Sequence, residues 1–158
     1  MTFRIKTFNN ISLQGLKRFP RAGYEVSSDS AHPNAILLRS HPLNLDEIPD
    51  SVEAVARAGV GVNNIPVDAL SQKGVPVFNA PGANANAVKE IVIAGLFLGL
   101  RNICPAWEYV KQLPAESLDR DVEVGKKRFV GHELPGRTLG VIGLGAIGSE
   151  VANTALML

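Results

Sequence analysis

"LGVIGLGAIGSEVANTALML", residues 139–158, decides how this chain is read. Its apolar opening, residues 139–144, predicts a buried strand, and helix-compatible residues run from Ser149 to Leu158. Between them Gly143, Gly145 and Gly148 stand in G-x-G-x-x-G spacing. In a strand–turn–helix of this kind the first glycine permits the tight bend and the second lets a pyrophosphate approach the backbone. The third lets helix and strand pack closely. The N-terminus of the helix offers free N–H groups to the anion. The acidic residue that grips the ribose in such a unit is expected about 20 residues further on, beyond Leu158.

At 158 residues the chain has room for one domain, or for one small domain and part of another. Apolar residues make up 46% of it and charged residues 20%, with a mean hydropathy of +0.10, which describes a globular chain with a real core. A net charge of +1 gives no reason to expect nucleic acid or an anionic membrane as partner. The densest basic cluster, Lys126-Lys127-Arg128, reads as a solvated loop. The single cysteine, Cys104, excludes an internal disulfide and a multi-cysteine metal site, and suits a reducing compartment. The opening MTFRIK alternates like a strand and lacks the apolar centre of a secretory signal. Residues 91–100 (IVIAGLFLGL) are the most hydrophobic stretch. They fall short of the roughly 20 residues a bilayer span needs, so burial against another domain or subunit is expected. The expectation is a soluble, cytoplasmic protein.

Short apolar segments recur along the first half, separated by helix-like or turn-like spacers. Strands are predicted at residues 3–8, 24–27, 35–39, 52–57 and 75–79, with helices at 13–19 and 67–73. The run AILLR at 35–39 suits a parallel strand buried on both faces. Pro76 places the segment 75–79 at an edge or at a strand start. Strands alternating with short helices predict a doubly wound, flavodoxin-like parallel α/β sheet over residues 1–84. Residues 85–158 then hold a long helix from 85 to 113, kinked near Pro105, a polar surface loop at 114–130, and the first βα unit of a Rossmann-type cofactor domain.

Three stretches together resemble the D-2-hydroxyacid dehydrogenase family: ILLRS at 36–40, AVARAGVGVNNIPVDALSQKGVPVFNAPGANANAVKE at 54–90, and FVGHELPGRTLGVIGLGAIGSEVAN at 129–153. The resemblance covers most of the chain from about residue 35 and is loose before it. It implies two doubly wound domains with the active site in the cleft between them, and a chain that represents the N-terminal part: substrate domain, connecting helix and the first βα unit of the cofactor domain. The catalytic arginine, glutamate and histidine of the family are expected further downstream. NAD is the implied cofactor, bound through Gly143, Gly145, Ala146, Ile147, Gly148 and the neighbourhood of Val60.

The substrate side gathers around residues 57–62. There Arg57, Ala58, Gly59, Val60 and Gly61 end a predicted strand and turn at the carboxyl edge of the sheet, where open α/β folds bind ligands. The resemblance implies that backbone N–H groups of this turn hold the substrate carboxylate. Many relatives have Asp where Asn63 stands. Arg39 ends a buried strand, where a charge must meet solvent or a partner, and the resemblance implies that it binds an anionic substrate. Arg57 is read alike, with a structural ion pair as the alternative. A guanidinium fork suits carboxylate and phosphate, so the two arginines point to a phosphorylated hydroxy acid; the resemblance implies that it is 3-phosphoglycerate, oxidised in serine biosynthesis. Hydroxypyruvate-, lactate- or formate-type substrates, or a non-catalytic NAD-sensing corepressor-like scaffold, are the alternatives. His32, His41 and His132 are not assigned as general bases, because only His132-Glu133 has a carboxylate close in sequence and adjacent residues of an extended segment point apart. Asn84, Asn86 and Glu90 are read as capping and hinge residues, Asn84 being an N-cap type. The segment 91–100 is apolar almost all round, so as a helix it must be buried, and the resemblance implies that it packs in the interface of a homodimer or higher homo-oligomer.

Overall fold

The computed structural model describes residues 2–8 and 11–158, and the chain divides into two units, Met1–Ala83 and Asn84–Leu158. In the first unit β1 (Phe3–Thr7), α1 (Leu13–Leu16), β2 (Tyr24–Ser27), β3 (Ala35–Leu38), β4 (Ala54–Arg57), α2 (Val67–Gln72) and β5 (Val77–Phe78) follow one another. Every strand pair is parallel, and the order across the sheet is β2-β1-β3-β4-β5. This is the flavodoxin-like doubly wound order, whose direction of winding reverses between β1 and β3. The register sets Leu37 beside Ala56 and Leu38 beside Arg57, so β3 and β4 end together.

Side chains alternate across the sheet. Ile36 and Leu38 of β3 and Val55 of β4 are fully buried, and with Leu70 of α2 they centre a core that also holds Leu43, Ile48, Val52 and Ile65. Ala35 and Leu37, on the opposite face, are only half-buried. There an open hollow is bordered by Phe3, Phe19 and Tyr24. The run AILLR is thus closed on one face and half-open on the other, rather than buried on both.

Several boundaries move for local reasons. The first helix stops at Leu16 instead of residue 19, because the chain turns ahead of Pro20, which disfavours helical backbone in the residue before it. β4 starts at Ala54, since Val52 closes a turn by donating its N–H to the carbonyl of Pro49 at 3.0 Å. α2 ends through Gly74 at φ +73°, and the N–H of Val75 then reaches back to the carbonyl of Leu70 at 2.9 Å. A left-handed residue at this point is the usual helix stop, and glycine adopts it without a Cβ clash. Pro76 precedes β5, an edge strand, and contributes only its carbonyl, which accepts from Val55.

The second unit holds α3 (Ala85–Leu100), α4 (Ile103–Lys111), α5 (Leu118–Gly125) and α6 (Ala146–Ala155). The break in the long helix lies at Asn102, in the left-handed region at φ 51°, and not at Pro105. Pro105 sits in the first turn of α4, where a missing N–H costs nothing. Residues 114–130 are not a loop: α5 occupies their middle. Its inner side fits because Gly125 lies against Tyr109, where a Cβ would collide with the ring, and the Tyr109 hydroxyl donates to the carbonyl of Asp121 at 2.8 Å. Asp119, Arg120, Asp121 and Glu123 on this short helix hid its pattern in the sequence. Residues 139–144 are irregular, because a strand needs a ladder partner and the described residues of this unit supply none. No described helix is long and apolar enough to cross a membrane. In α3 only Ala85 is buried, and Ile91 is 74% exposed, so the burial expected for 91–100 is not met within the chain.

The core makes one energetic statement. Leu70 has no exposed surface and lies beneath Ile36, Leu38 and Val55. Leu70→Ala is expected to destabilise the first unit by about 2–5 kcal/mol, measured by urea unfolding. In the monomeric 158-residue chain, Ile91→Ala on the exposed side of α3 should change stability by less than about 0.5 kcal/mol.

Candidate functional site

The carboxyl ends of β3 and β4 form the centre of the site. The N–H of Ala58 donates to the carbonyl of Leu38 at 2.8 Å, carrying the ladder one residue past β4. The N–H of Gly59 then bonds the carbonyl of Arg57 at 2.9 Å and the chain turns sharply. Three successive carbonyls of this turn are tied back to the protein. That of Gly59 accepts from the N–H of Ala80 at 2.9 Å, that of Val60 from the Asn79 amide Nδ2 at 2.7 Å, and that of Gly61 from Nη1 of Arg57.

A trans peptide holds its carbonyl and its N–H on opposite sides of a rigid plane, and no described peptide here is cis. Anchoring the carbonyls of residues 59, 60 and 61 therefore turns away the N–H groups of Val60, Gly61 and Val62. None of the three has an acceptor among the described residues. Unpaired amides exposed on a loop are ready to take an anionic oxygen. Glycine at 59 and 61 leaves room for the Arg57 guanidinium, since a Cβ at either place would stand 3.2–3.3 Å from Nη1.

Arg57 also donates from Nε to the carbonyl of Arg39 at 2.8 Å. Its side chain is thus joined to backbone oxygens rather than to the carboxylate partner considered for it. The Arg39 side chain is exposed and has no partner among the described residues. The residues singled out in the first unit, Arg39, Arg57, Ala58, Gly59, Val60 and Gly61, thus meet at one sheet edge.

Asn64 and Asn79 escaped the sequence reading, because their roles lie in bonds to distant carbonyls. The Asn64 amide donates to the carbonyls of His41 at 2.7 Å and of Arg39 at 3.3 Å, and its Oδ1 is buried without a partner. His41 was set aside for want of a nearby carboxylate, yet its Nε2 lies 2.9 Å from Oε1 of Glu47 and its ring stacks on Phe8 at 4.3 Å. The N–H of Asn44, followed by the His41 imidazole, holds the Glu47 carboxyl below the usual carboxylate range. The sequence did carry a signal for this pair: Asn44-x-x-Glu47 is a capping box, which folds the glutamate back over a short 3-10 turn at Leu45–Glu47. The N–H of His132 is committed to the carbonyl of Leu100 at 2.8 Å.

In the second unit the three glycines divide the labour. Gly143 takes φ +88°, which makes the sharp bend. Around Gly145 a Cβ would meet nothing within 4 Å, so the backbone stands open to a ligand. A Cβ at Gly148 would collide with the carbonyl oxygen of Gly143, so α6 can rest on the turn only with glycine there. The first amide of the helix with a backbone acceptor is that of Ser149, which bonds the carbonyl of Gly145 at 3.0 Å. The N–H groups of Ala146, Ile147 and Gly148 remain without acceptors among the described residues, and the positive end of α6 lies with them. This donor set fits a pyrophosphate. Asn84 stands at the start of α3 but makes no side-chain cap bond, whereas Asn86 donates to Glu90 at 2.8 Å one turn on.

A D-3-phosphoglycerate dehydrogenase of Bacillus subtilis is 37% identical over 97% of this chain and 30% of its own length. One from Methanocaldococcus jannaschii is 43% identical over 69% of this chain and 19% of its own. The NAD+-bound 3-phosphoglycerate dehydrogenase of Entamoeba histolytica superposes with a TM-score of 0.73 at 24% identity, over 99% of this chain and 51% of that one. The chain therefore spans less than a third of the length of these curated relatives and about half of the solved structure. The model of the D-isomer specific 2-hydroxyacid dehydrogenase catalytic domain matches residues 33–155, and the chain belongs to that family.

Proposed function

We propose that this chain is the N-terminal part of an NAD-dependent dehydrogenase that oxidises 3-phosphoglycerate to 3-phosphohydroxypyruvate, in the cytoplasm, as a step of serine biosynthesis. The observation that carries this reading is the trio of amides at Val60, Gly61 and Val62 that have no acceptor among the described residues, at the same sheet edge as Arg39, whose exposed side chain has no partner among them either. Together they can hold a substrate with two anionic groups, a carboxylate and a phosphate. The names of the relatives from Bacillus subtilis and Methanocaldococcus jannaschii support the same substrate.

In this reading the substrate carboxylate rests on the turn and the phosphate meets Arg39. Arg57 keeps the turn in shape through the carbonyls of Arg39 and Gly61 and adds a positive charge to the substrate side. Bound NAD supplies the hydride acceptor. Gly143, Gly145, Ala146, Ile147 and Gly148 would receive its pyrophosphate, and Val60, 40% exposed, would contribute a further cofactor contact. The histidine that takes the hydroxyl proton and the arginine that orients the carboxylate are expected downstream of Leu158. The homodimer is built on α3, whose exposed Ile91, Phe97 and Leu98 give it an apolar surface that a second copy covers.

Each part of this reading has its measurement. In the full-length protein, Arg39→Gln should raise KM for 3-phosphoglycerate by about 10–100-fold, the worth of a hydrogen-bonded charge, and should change kcat less. Absence of NADH formation with every 2-hydroxy acid tried overturns the assignment. The isolated 158-residue chain should neither turn over substrate nor bind NADH saturably, followed by nicotinamide fluorescence, because its cofactor site is one glycine turn without a sheet behind it. Light scattering of the full-length protein should give a dimer, and Ile91→Lys should shift it toward monomer.

A further inference from the structure

We propose that Asn79 is a positioning residue that sets the polarity of the carboxylate-binding turn. The inference rests on the reading that residues 60–62 receive a carboxylate, and adds what keeps them facing it. Asn79 is the first residue after β5, an edge strand of only two residues. Its side chain is exposed, yet its amide Nδ2 donates to the carbonyl of Val60 at 2.7 Å, and the next residue, Ala80, donates its N–H to the carbonyl of Gly59 at 2.9 Å. The short strand thus delivers two donors to the back of the turn.

The Val60–Gly61 peptide is the vulnerable one. Glycine on its far side has no Cβ to oppose rotation of the peptide plane. A half-turn would replace the outward N–H of Gly61 with the carbonyl of Val60, changing a donor for an anion into an acceptor that repels one. The Arg57 guanidinium holds the following peptide through the Gly61 carbonyl. Only Asn79 holds the Val60 carbonyl among the described residues. An asparagine is required because its amide is a donor. An aspartate of the same shape offers only acceptors there, and favours the rotated peptide, with the Gly61 N–H drawn inward.

The test follows the backbone amides of the 158-residue chain by nuclear magnetic resonance during titration with D-3-phosphoglycerate. In the wild type the Gly61 amide signal should move saturably. In Asn79→Ala the half-saturating concentration should rise about 3–10-fold, the worth of one hydrogen bond. In Asn79→Asp the Gly61 response should vanish while the signals of Val55 and Leu70 keep their positions. A merely structural role predicts instead an altered melting temperature with an unchanged Gly61 titration, and that result overturns the proposal. Should the aspartate variant fail to fold, the alanine variant decides by the same criterion. A Gly61 amide that never responds in the wild type, in a protein whose full-length form turns over 3-phosphoglycerate, also overturns it. A response that depends on Asn79 in a protein without dehydrogenase activity leaves this inference standing and removes the proposed reaction.

Discussion

The bond from the Arg57 guanidinium to the carbonyl of Arg39, at 2.8 Å, is the interaction on which the site depends. It joins the chain where it leaves β3 to the chain where it leaves β4, and the same guanidinium reaches forward to the carbonyl of Gly61. A planar fork with several donors can serve two carbonyls at once in a way a lysine ammonium cannot. Because Leu38 and Arg57 stand side by side in the ladder, both strands present their ends at one level. The backbone at Arg39 and the turn at 58–61 are then brought to one sheet edge, although about twenty residues of sequence, crossing the buried Leu43, Ile48 and Val52, lie between them.

Behind this edge stands an ordinary parallel-sheet core. Ile36, Leu38, Val55 and Leu70 exclude water entirely, and burying each contributes about 1.5–3 kcal/mol relative to leaving it exposed. The rigidity matters more to the site than the total. Close-packed interiors transmit strain instead of absorbing it, so the carbonyls of residues 59 to 61 meet their donors in one arrangement. The second unit works differently. Its α6 packs on α3, with Lys89 and Glu150 3.9 Å apart, and the glycine turn sits at the end of that pair of helices. A partly exposed ion pair of this kind adds little stability. What shapes the turn is steric: Gly148 must lack a Cβ for the helix to approach Gly143.

Much of the first unit was legible in the sequence. Short apolar runs separated by turn residues mark strands whatever their neighbours, and their alternation with helices implies parallel crossovers. The glycine turn was legible from its spacing, and backbone geometry excludes other residues at two of the three positions, Gly143 through its positive φ and Gly148 through contact. Less legible were features defined by partners far along the chain. Residues 139–144 have the composition of a strand, but a strand exists only with a ladder partner. The helix at Leu118–Gly125 carries so many charges that its pattern reads as loop, and it is held by one tyrosine seated against Gly125.

Local backbone chemistry is therefore what the amino-acid sequence determined by itself: which segments are apolar enough to be buried, where glycine must turn the chain, and where an arginine ends a strand. Tertiary structure decided which groups those residues touch. Arg57 was read as a substrate residue or as half of an ion pair, and the fold adds a bracing role through two backbone carbonyls. Asn79 looked like an unremarkable strand end and proves to hold the Val60 carbonyl. The Asn44–Glu47 capping box hid a contact with His41. The physical reason is common to all three. Propensity and periodicity are properties of neighbouring residues, whereas a hydrogen bond is a property of two groups in space, and only the folded sheet brings residues 39, 57, 60 and 79 to the same edge.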